Sequence, residues 1–164
     1  MGGDCRRNAR YTPSMNRLQV QLGFVLILLA LVTGFGMPLF ASPRLGLAAH
    51  VVGITGGLVL IALGALAQKF TLGARSAAVM MWSWVYAAYA NWFGSLLGAI
   101  TGASRLTPIA GAGTTGDALA ETVVSFLLQS LALAAIVGTS LAIYGLRKPA
   151  ADFVRRDVTA LRHF

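Results

Sequence analysis

The chain has 164 residues, of which 57% are hydrophobic and only 11% are charged. Soluble proteins carry about 25% charged residues, so this composition excludes an ordinary water-exposed surface, and the length suits a single domain. The net charge of +8 does not indicate a nucleic-acid partner. Its cations lie almost entirely in the tails and one short loop, without the interleaved aromatic residues of a base-stacking surface.

Four segments contain no Asp, Glu, Lys or Arg, namely residues 18–43, 45–68, 76–104 and 122–146. Each is longer than the roughly 20 apolar residues that cross the hydrocarbon core of a bilayer. A charge near the centre of such a span costs about 2.5–3.5 kcal/mol, which explains these gaps. We therefore predict an all-α integral membrane protein, a four-helix bundle with spans at about residues 18–40, 45–68, 75–101 and 119–146.

An even number of spans places both termini on the same side of the membrane. The Lys and Arg residues of that side are Arg6, Arg7, Arg10, Arg17, Lys69, Arg75, Arg147, Lys148, Arg155, Arg156 and Arg162, whereas the other side has only Arg44 and Arg105. Because Lys- and Arg-rich loops stay in the cytoplasm, we expect cytoplasmic basic tails at residues 1–17 and 147–164. We also expect a multi-pass protein of a bacterial-type inner membrane, with an interfacial helix on anionic lipid after Arg147.

His50 is the first candidate functional residue, because it is a histidine inside a predicted span. An ionisable side chain at membrane depth usually has a function, and neutral imidazole is the commonest metal ligand. The structural alternative is a histidine that only hydrogen-bonds a neighbouring helix. Gly53 and Gly57 follow on the same helix face and predict a flat strip on which a cofactor could lie.

The third span repeats this pattern, since Asn91 is followed by Gly94 and Gly98 at the same spacing. Small residues at such intervals also serve close helix packing, so the pattern by itself supports both interpretations. Tyr89 and Trp92 lie well inside the span. They could stack on an aromatic ligand or simply pack against helices and lipid.

Glu121 and Ser125 lie four residues apart, on one polar face at the start of the fourth span. We expect both to take part in catalysis, and the structural alternative is that Glu121 caps the helix together with Asp117. By the assignment of spans, His50 and Asn91 belong to the same outer half of the membrane. Four helices converging there could enclose one polar pocket.

Several segments together are similar to the hydroxylaminobenzene mutases. They are residues 43–50 (PRLGLAAH), 90–93 (ANWF), 108–110 (PIA) and 121–128 (ETVVSFLL), and the similarity extends from about residue 18 to residue 146. These small membrane enzymes convert hydroxylaminobenzene to 2-aminophenol. More distantly, the regions around His50 and Asn91 resemble styrene oxide isomerase, a trimeric four-helix membrane enzyme in which one histidine holds haem b between subunits.

The resemblance implies that His50 ligates the haem iron and that Asn91 lies in the active site. It also implies a homo-oligomer, such as a trimer. Two positions depart from the related pattern, because Gly56 replaces an asparagine and Ser95 replaces a tyrosine.

We therefore expect a membrane isomerase with a small aromatic hydroxylamine as substrate, ferric haem b as a Lewis acid and lipid as its surroundings. In this expectation the haem contacts His50, Gly53, Gly57 and Gly94, the substrate contacts Tyr89 and Trp92, and catalysis uses Asn91, Glu121 and Ser125. One alternative is an epoxide isomerase of the styrene oxide type. The other is a non-enzymatic helix-packing subunit or small transporter.

Overall fold

The computed structural model describes residues 13–147, and in this part of the chain all regular structure is helical. The helices are α1 (Pro13–Gly36), α2 (Pro43–Leu66), α3 (Ala74–Thr101), α4 (Pro108–Gly111) and α5 (Ala118–Leu146), with 3-10 turns at Met37–Leu39 and Ala67–Lys69. The all-α prediction is therefore confirmed for the described residues. Most of the basic N-terminal tail, and the interfacial helix expected after Arg147, lie outside them.

Local sequence explains several helix ends. Pro43 occupies the first position of α2, where its missing N–H would be unpaired in any case. Asp117 caps α5, because its side chain accepts a hydrogen bond from the N–H of Ala120 at 2.6 Å. α3 ends before Gly102, whose φ of 76° lies in the left-handed region that glycine adopts without steric cost. α1 begins earlier than the predicted span, at Pro13 instead of residue 18.

Three stretches are long and apolar enough to cross a membrane, namely Met15–Leu39, Pro43–Lys69 and Ala118–Leu146. They make this a membrane protein, as the composition predicts. α3 is not among the three although it has 28 residues, because its aromatic side chains, serines and Asn91 lower its mean hydropathy.

Neighbouring long helices run antiparallel. The N–H of Ser42, which precedes α2, donates to the carbonyl of Ala99 near the end of α3 at 3.0 Å. The N–H of Thr71, which precedes α3, donates to the carbonyl of Gly145 near the end of α5 at 2.9 Å. We call the end of the molecule with residues 37–42 and 102–117 the loop end, and the opposite end the tail end.

The helices form an open arrangement. α1 and α3 both pack on α2, while α5 packs on α3. Extensive contacts of α5 with α1 or α2 are absent among the residues described, and only 6% of the apolar window of α5 is buried. The expectation that four helices enclose one common pocket is therefore wrong for a single copy of the chain.

The closest helix packing lies between α1 and α2. A Cβ atom at Gly57 would lie 2.5 Å from Cγ1 of Ile27 and 2.6 Å from the carbonyl oxygen of Gly23, so the two backbones nearly touch. Towards the tail end the core contains larger side chains, including the fully buried Leu60 and Met80. This packing fixes α2 on α1, and with it the position of the histidine on α2.

Candidate active site

His50 lies on α2 and is hydrogen-bonded to α1. Its Nδ1 atom is 2.7 Å from the carbonyl oxygen of Ala30. A carbonyl oxygen only accepts hydrogen bonds, so Nδ1 carries the proton and donates. The lone pair of the neutral ring is then on Nε2, which has no hydrogen-bond partner among the described residues. The imidazole is half-buried, so this nitrogen is available as a ligand or a base.

Gly34 makes this contact possible. A Cβ atom at Gly34 would lie 2.9 Å from Nδ1 and 3.1 Å from Cε1 of His50, both shorter than ordinary contacts between side chains. The imidazole therefore rests directly on the backbone of α1. Gly34 was not identified from the sequence, although a glycine next to Thr33 within an apolar span is a signal for close approach of another group.

The glycine strip that follows His50 is occupied by helix packing. A Cβ atom at Gly53 would lie 2.6 Å from Cβ of Ala30 and 2.8 Å from Cδ1 of Trp92. Gly57 is covered by α1 in the same way. In one chain, α1 and an indole ring from α3 fill the space beside Gly53 and Gly57, which argues against an open surface there. Their predicted contact with a cofactor stays a prediction.

Trp92 and Tyr89 connect α3 to α1 through their polar atoms. The indole N–H of Trp92 donates to the hydroxyl of Thr33 at 3.1 Å, and the hydroxyl of Tyr89 donates to the carbonyl of Leu22 at 2.9 Å. Thr33 is itself buried and donates to the carbonyl of Leu29. These bonds give both aromatic residues a role in helix packing, and their predicted contact with substrate stays a prediction.

Asn91 is half-buried, and its amide has no hydrogen-bond partner in the described part of the chain. It precedes the buried Gly94 by three residues and therefore shares its helix face. Gly94 packs against Leu127 and Leu128 of α5, at ordinary contact distances of 3.5 and 3.6 Å from a Cβ built on it. Asn91 thus shares the side of α3 that contacts α5, while Nδ1 of His50 contacts α1.

Glu121 holds the loop between α3 and α5. Its Oε1 atom accepts hydrogen bonds from the N–H groups of Ser104 at 3.0 Å and Gly116 at 3.1 Å, and Oε2 accepts from the N–H of Arg105 at 2.9 Å. Three amide donors suit an ionised carboxylate, and they leave it little capacity to exchange protons with a substrate. These loop contacts argue for a structural role of Glu121, and its predicted catalytic role stays a prediction.

Ser125 is half-buried one turn after Glu121, and it has no hydrogen bond among the residues described. Its predicted catalytic role stays a prediction.

Two cavities, of about 490 and 410 Å³, lie nearby at the loop end. Their lining comes from α4, the loop and the starts of α2 and α5, and it includes Arg44, Arg105 and Glu121. Neither cavity reaches His50 or Asn91, so they are separate from the imidazole on α1.

Known proteins give an independent view of the chain. The family model for styrene oxide isomerase matches residues 15–147. Hydroxylaminobenzene mutase HabB of Ectopseudomonas oleovorans is 41% identical over 155 residues, which cover 92% of this chain and 93% of that protein. Hydroxylaminobenzene mutase HabA of the same organism is 43% identical over 110 residues, or 66% of this chain and 82% of that protein. No solved structure shows a significant match to the chain.

Proposed function

This chain belongs to the styrene oxide isomerase family, and on that premise we propose that it rearranges hydroxylaminobenzene and related aromatic hydroxylamines to 2-aminophenols. The relatives named as mutases identify it as an isomerase. The identities of the substrate and of the product are what we propose. It rests chiefly on the similarity to those mutases over nearly the whole length of both proteins.

The proposed reaction is a true isomerisation. The N–O bond of the hydroxylamine breaks, a C–O bond forms at the neighbouring ring carbon, and the hydrogen lost from that carbon ends on nitrogen. Atoms and electrons balance without an oxidant or reductant. The enzyme must therefore assist departure of the hydroxyl and favour its delivery to the ring over attack by bulk water.

We propose that His50 would hold the iron of haem b through its Nε2 atom. The donor set fits this group, because Nδ1 is occupied by the Ala30 carbonyl and metal-binding histidines usually donate their other N–H in this way. In the described part of the chain no cluster of three His, Cys, Asp or Glu residues could hold a bare metal ion. A single imidazole suits a cofactor that brings its other ligands with it. When bound, ferric haem would supply a Lewis acid for the N–O bond.

Asn91 is proposed to bind the reacting hydroxyl group. Its side-chain amide can both donate and accept hydrogen bonds, and no described residue occupies it. An unpartnered amide among apolar helices gains more from a polar ligand than one already bonded. Ser125, also without a partner, is proposed to assist in positioning the substrate.

We propose that the active unit is a homo-oligomer, such as a trimer. His50 bonds to α1 and Asn91 shares the face of α3 that contacts α5, and in this proposal a second copy of the chain completes the site between them. The small buried share of α5 supports this arrangement, since α5 has most of its surface available for a second copy.

We further propose that α3 crosses the membrane together with the three apolar helices, with both termini in the cytoplasm of a bacterial-type inner membrane. α3 has 28 residues and runs antiparallel to α2 and α5, which are apolar enough to cross. An apolar aromatic substrate partitions into lipid, which supplies it directly to helices at that depth.

An epoxide isomerase of the styrene oxide type is the second candidate, favoured by the family model itself. Purified protein should be incubated separately with hydroxylaminobenzene and with styrene oxide, and the products separated by chromatography. We expect 2-aminophenol from the first and little product from the second. Phenylacetaldehyde formed at the higher rate would instead favour the epoxide isomerase.

A further inference from the structure

We propose that one turn of α1, residues 29–34, positions the imidazole of His50, and that Gly34 is the residue on which this positioning depends. The inference rests on the proposed role of His50, and it adds a function for α1 that neither residue type nor sequence spacing assigns. Gly34 is a positioning residue, because it acts on the ligand nitrogen only through His50.

The first argument is geometric. The Ala30 carbonyl accepts the hydrogen of Nδ1, and in a regular helix the same carbonyl also accepts the N–H of residue 34. A carbonyl oxygen has two lone pairs, so both bonds can form if nothing lies between the helix backbone and the ring. A Cβ atom at position 34 would lie 2.9 Å from Nδ1. Any side chain there would displace the ring from the carbonyl.

The second argument is that the same turn also holds α3. Thr33 accepts the indole N–H of Trp92, and the ring of Trp92 lies against Gly53, one turn after His50. The turn therefore contacts α2 and α3 through specific hydrogen bonds from both sides. Movement of this turn of α1 away from the imidazole would require this local packing to change.

The consequence is a fixed tautomer. With Nδ1 protonated and bonded to the backbone, the ligand lone pair stays on Nε2 and the ring plane is held by α1. Loss of this hydrogen bond would let the proton move to either nitrogen. The population of imidazole competent to bind iron through Nε2 would then fall.

The test uses the full chain in detergent, labelled with 15N-histidine and free of haem. Long-range 15N–1H correlation spectra identify the protonated nitrogen, and a His163→Ala variant assigns the second histidine. We expect the Nδ1–H tautomer in the wild-type chain and a mixture of tautomers in Gly34→Ala. Haem titration should give a dissociation constant about 10-fold higher for Gly34→Ala.

Gly36→Ala is the matched control, because it makes the same change in α1 but meets the edge of the Phe40 ring instead of His50. It should keep the wild-type tautomer and haem affinity. An Nε2–H tautomer in the wild-type chain would overturn the inference, and that spectrum decides even if Gly34→Ala does not fold. Unchanged spectra and haem affinity in a folded Gly34→Ala would also overturn it. Wild-type haem binding by His50→Ala would instead contradict the proposed role of His50 as haem ligand. The spectra would still decide whether α1 fixes the tautomer of His50.

Discussion

The Nδ1 atom of His50 and the carbonyl oxygen of Ala30 lie 2.7 Å apart and join α2 to α1 by a hydrogen bond inside an apolar helix pair. This bond orients a histidine that would otherwise rotate freely beside the helix. It also directs the unprotonated Nε2 away from α1. The proposed haem site and the role of Gly34 both rest on that orientation.

Replacing Asn91 with alanine should strongly reduce turnover without loss of haem. The amide has no partner in the described chain, so its removal leaves no unpaired group and should not change folding. Loss of one hydrogen bond to developing charge lowers kcat by about 10²–10³-fold. Turnover of hydroxylaminobenzene and the haem absorption spectrum should be measured together, with Ser83→Ala as a control on the same helix. Unchanged turnover in Asn91→Ala would remove this residue from the mechanism.

Replacing Glu121 with glutamine should loosen the loop between α3 and α5 while leaving the rate of catalysis within a few-fold of wild type. The new amide nitrogen cannot accept the N–H of Arg105, and the negative charge is lost. We expect a lower Tm in detergent and faster trypsin cleavage after Arg105. Asp117→Asn is the control, because it removes the same charge but keeps a good helix cap. Abolished turnover in Glu121→Gln at wild-type Tm would restore the catalytic role that the loop contacts argue against.

Two glycine-to-alanine changes should separate close packing from ordinary contact. Alanine at position 57 would force Cβ to within 2.5 Å of Ile27, and such overpacking costs about 1–3 kcal/mol. Alanine at position 94 has no neighbour closer than 3.5 Å, so stability should be unchanged or higher by about 0.5 kcal/mol. Thermal unfolding of both variants in the same detergent measures the difference. Equal Tm values would show that α1 and α2 are not packed as closely as described.

The hydrogen bond between Thr33 and Trp92 should appear as a coupling energy. Thr33→Val leaves the indole N–H unpaired, Trp92→Phe removes the donor but keeps an aromatic ring, and the double variant removes both. A double-mutant cycle on unfolding free energy should give about 0.5–1.5 kcal/mol. Additive effects of the two single changes would mean that α3 is not held on α1 by this bond.

The secondary structure could be predicted from the sequence because charge-free runs and prolines act locally. The helices α2, α3 and α5 begin and end within two residues of the predicted spans. The order of packing could not be predicted in this way, since all long helices are apolar on most faces. That ambiguity led to the expectation of a closed pocket, whereas α5 contacts mainly α3.

The candidate site could be predicted only in part. His50 and Asn91 were recognisable because polar side chains at membrane depth are rare. The function of Gly53 and Gly57 could not be recognised from the sequence, because a small residue can face either a ligand or another helix. The loop contacts of Glu121 could not be predicted, because its three donors are backbone N–H groups and no side-chain pattern reveals them. Gly34 and the Ala30 carbonyl were missed for the same reason, since a backbone acceptor has no signature in the sequence.

The absorption spectrum of purified, haem-supplemented protein, compared with that of His50→Ala, tests the central claim most directly. The account predicts a Soret band and turnover of hydroxylaminobenzene in the wild-type chain. It predicts the loss of both in His50→Ala, with unchanged membrane insertion. A His50→Ala variant that keeps the Soret band and full turnover would contradict the account, as would wild-type protein that turns over the substrate with no haem bound.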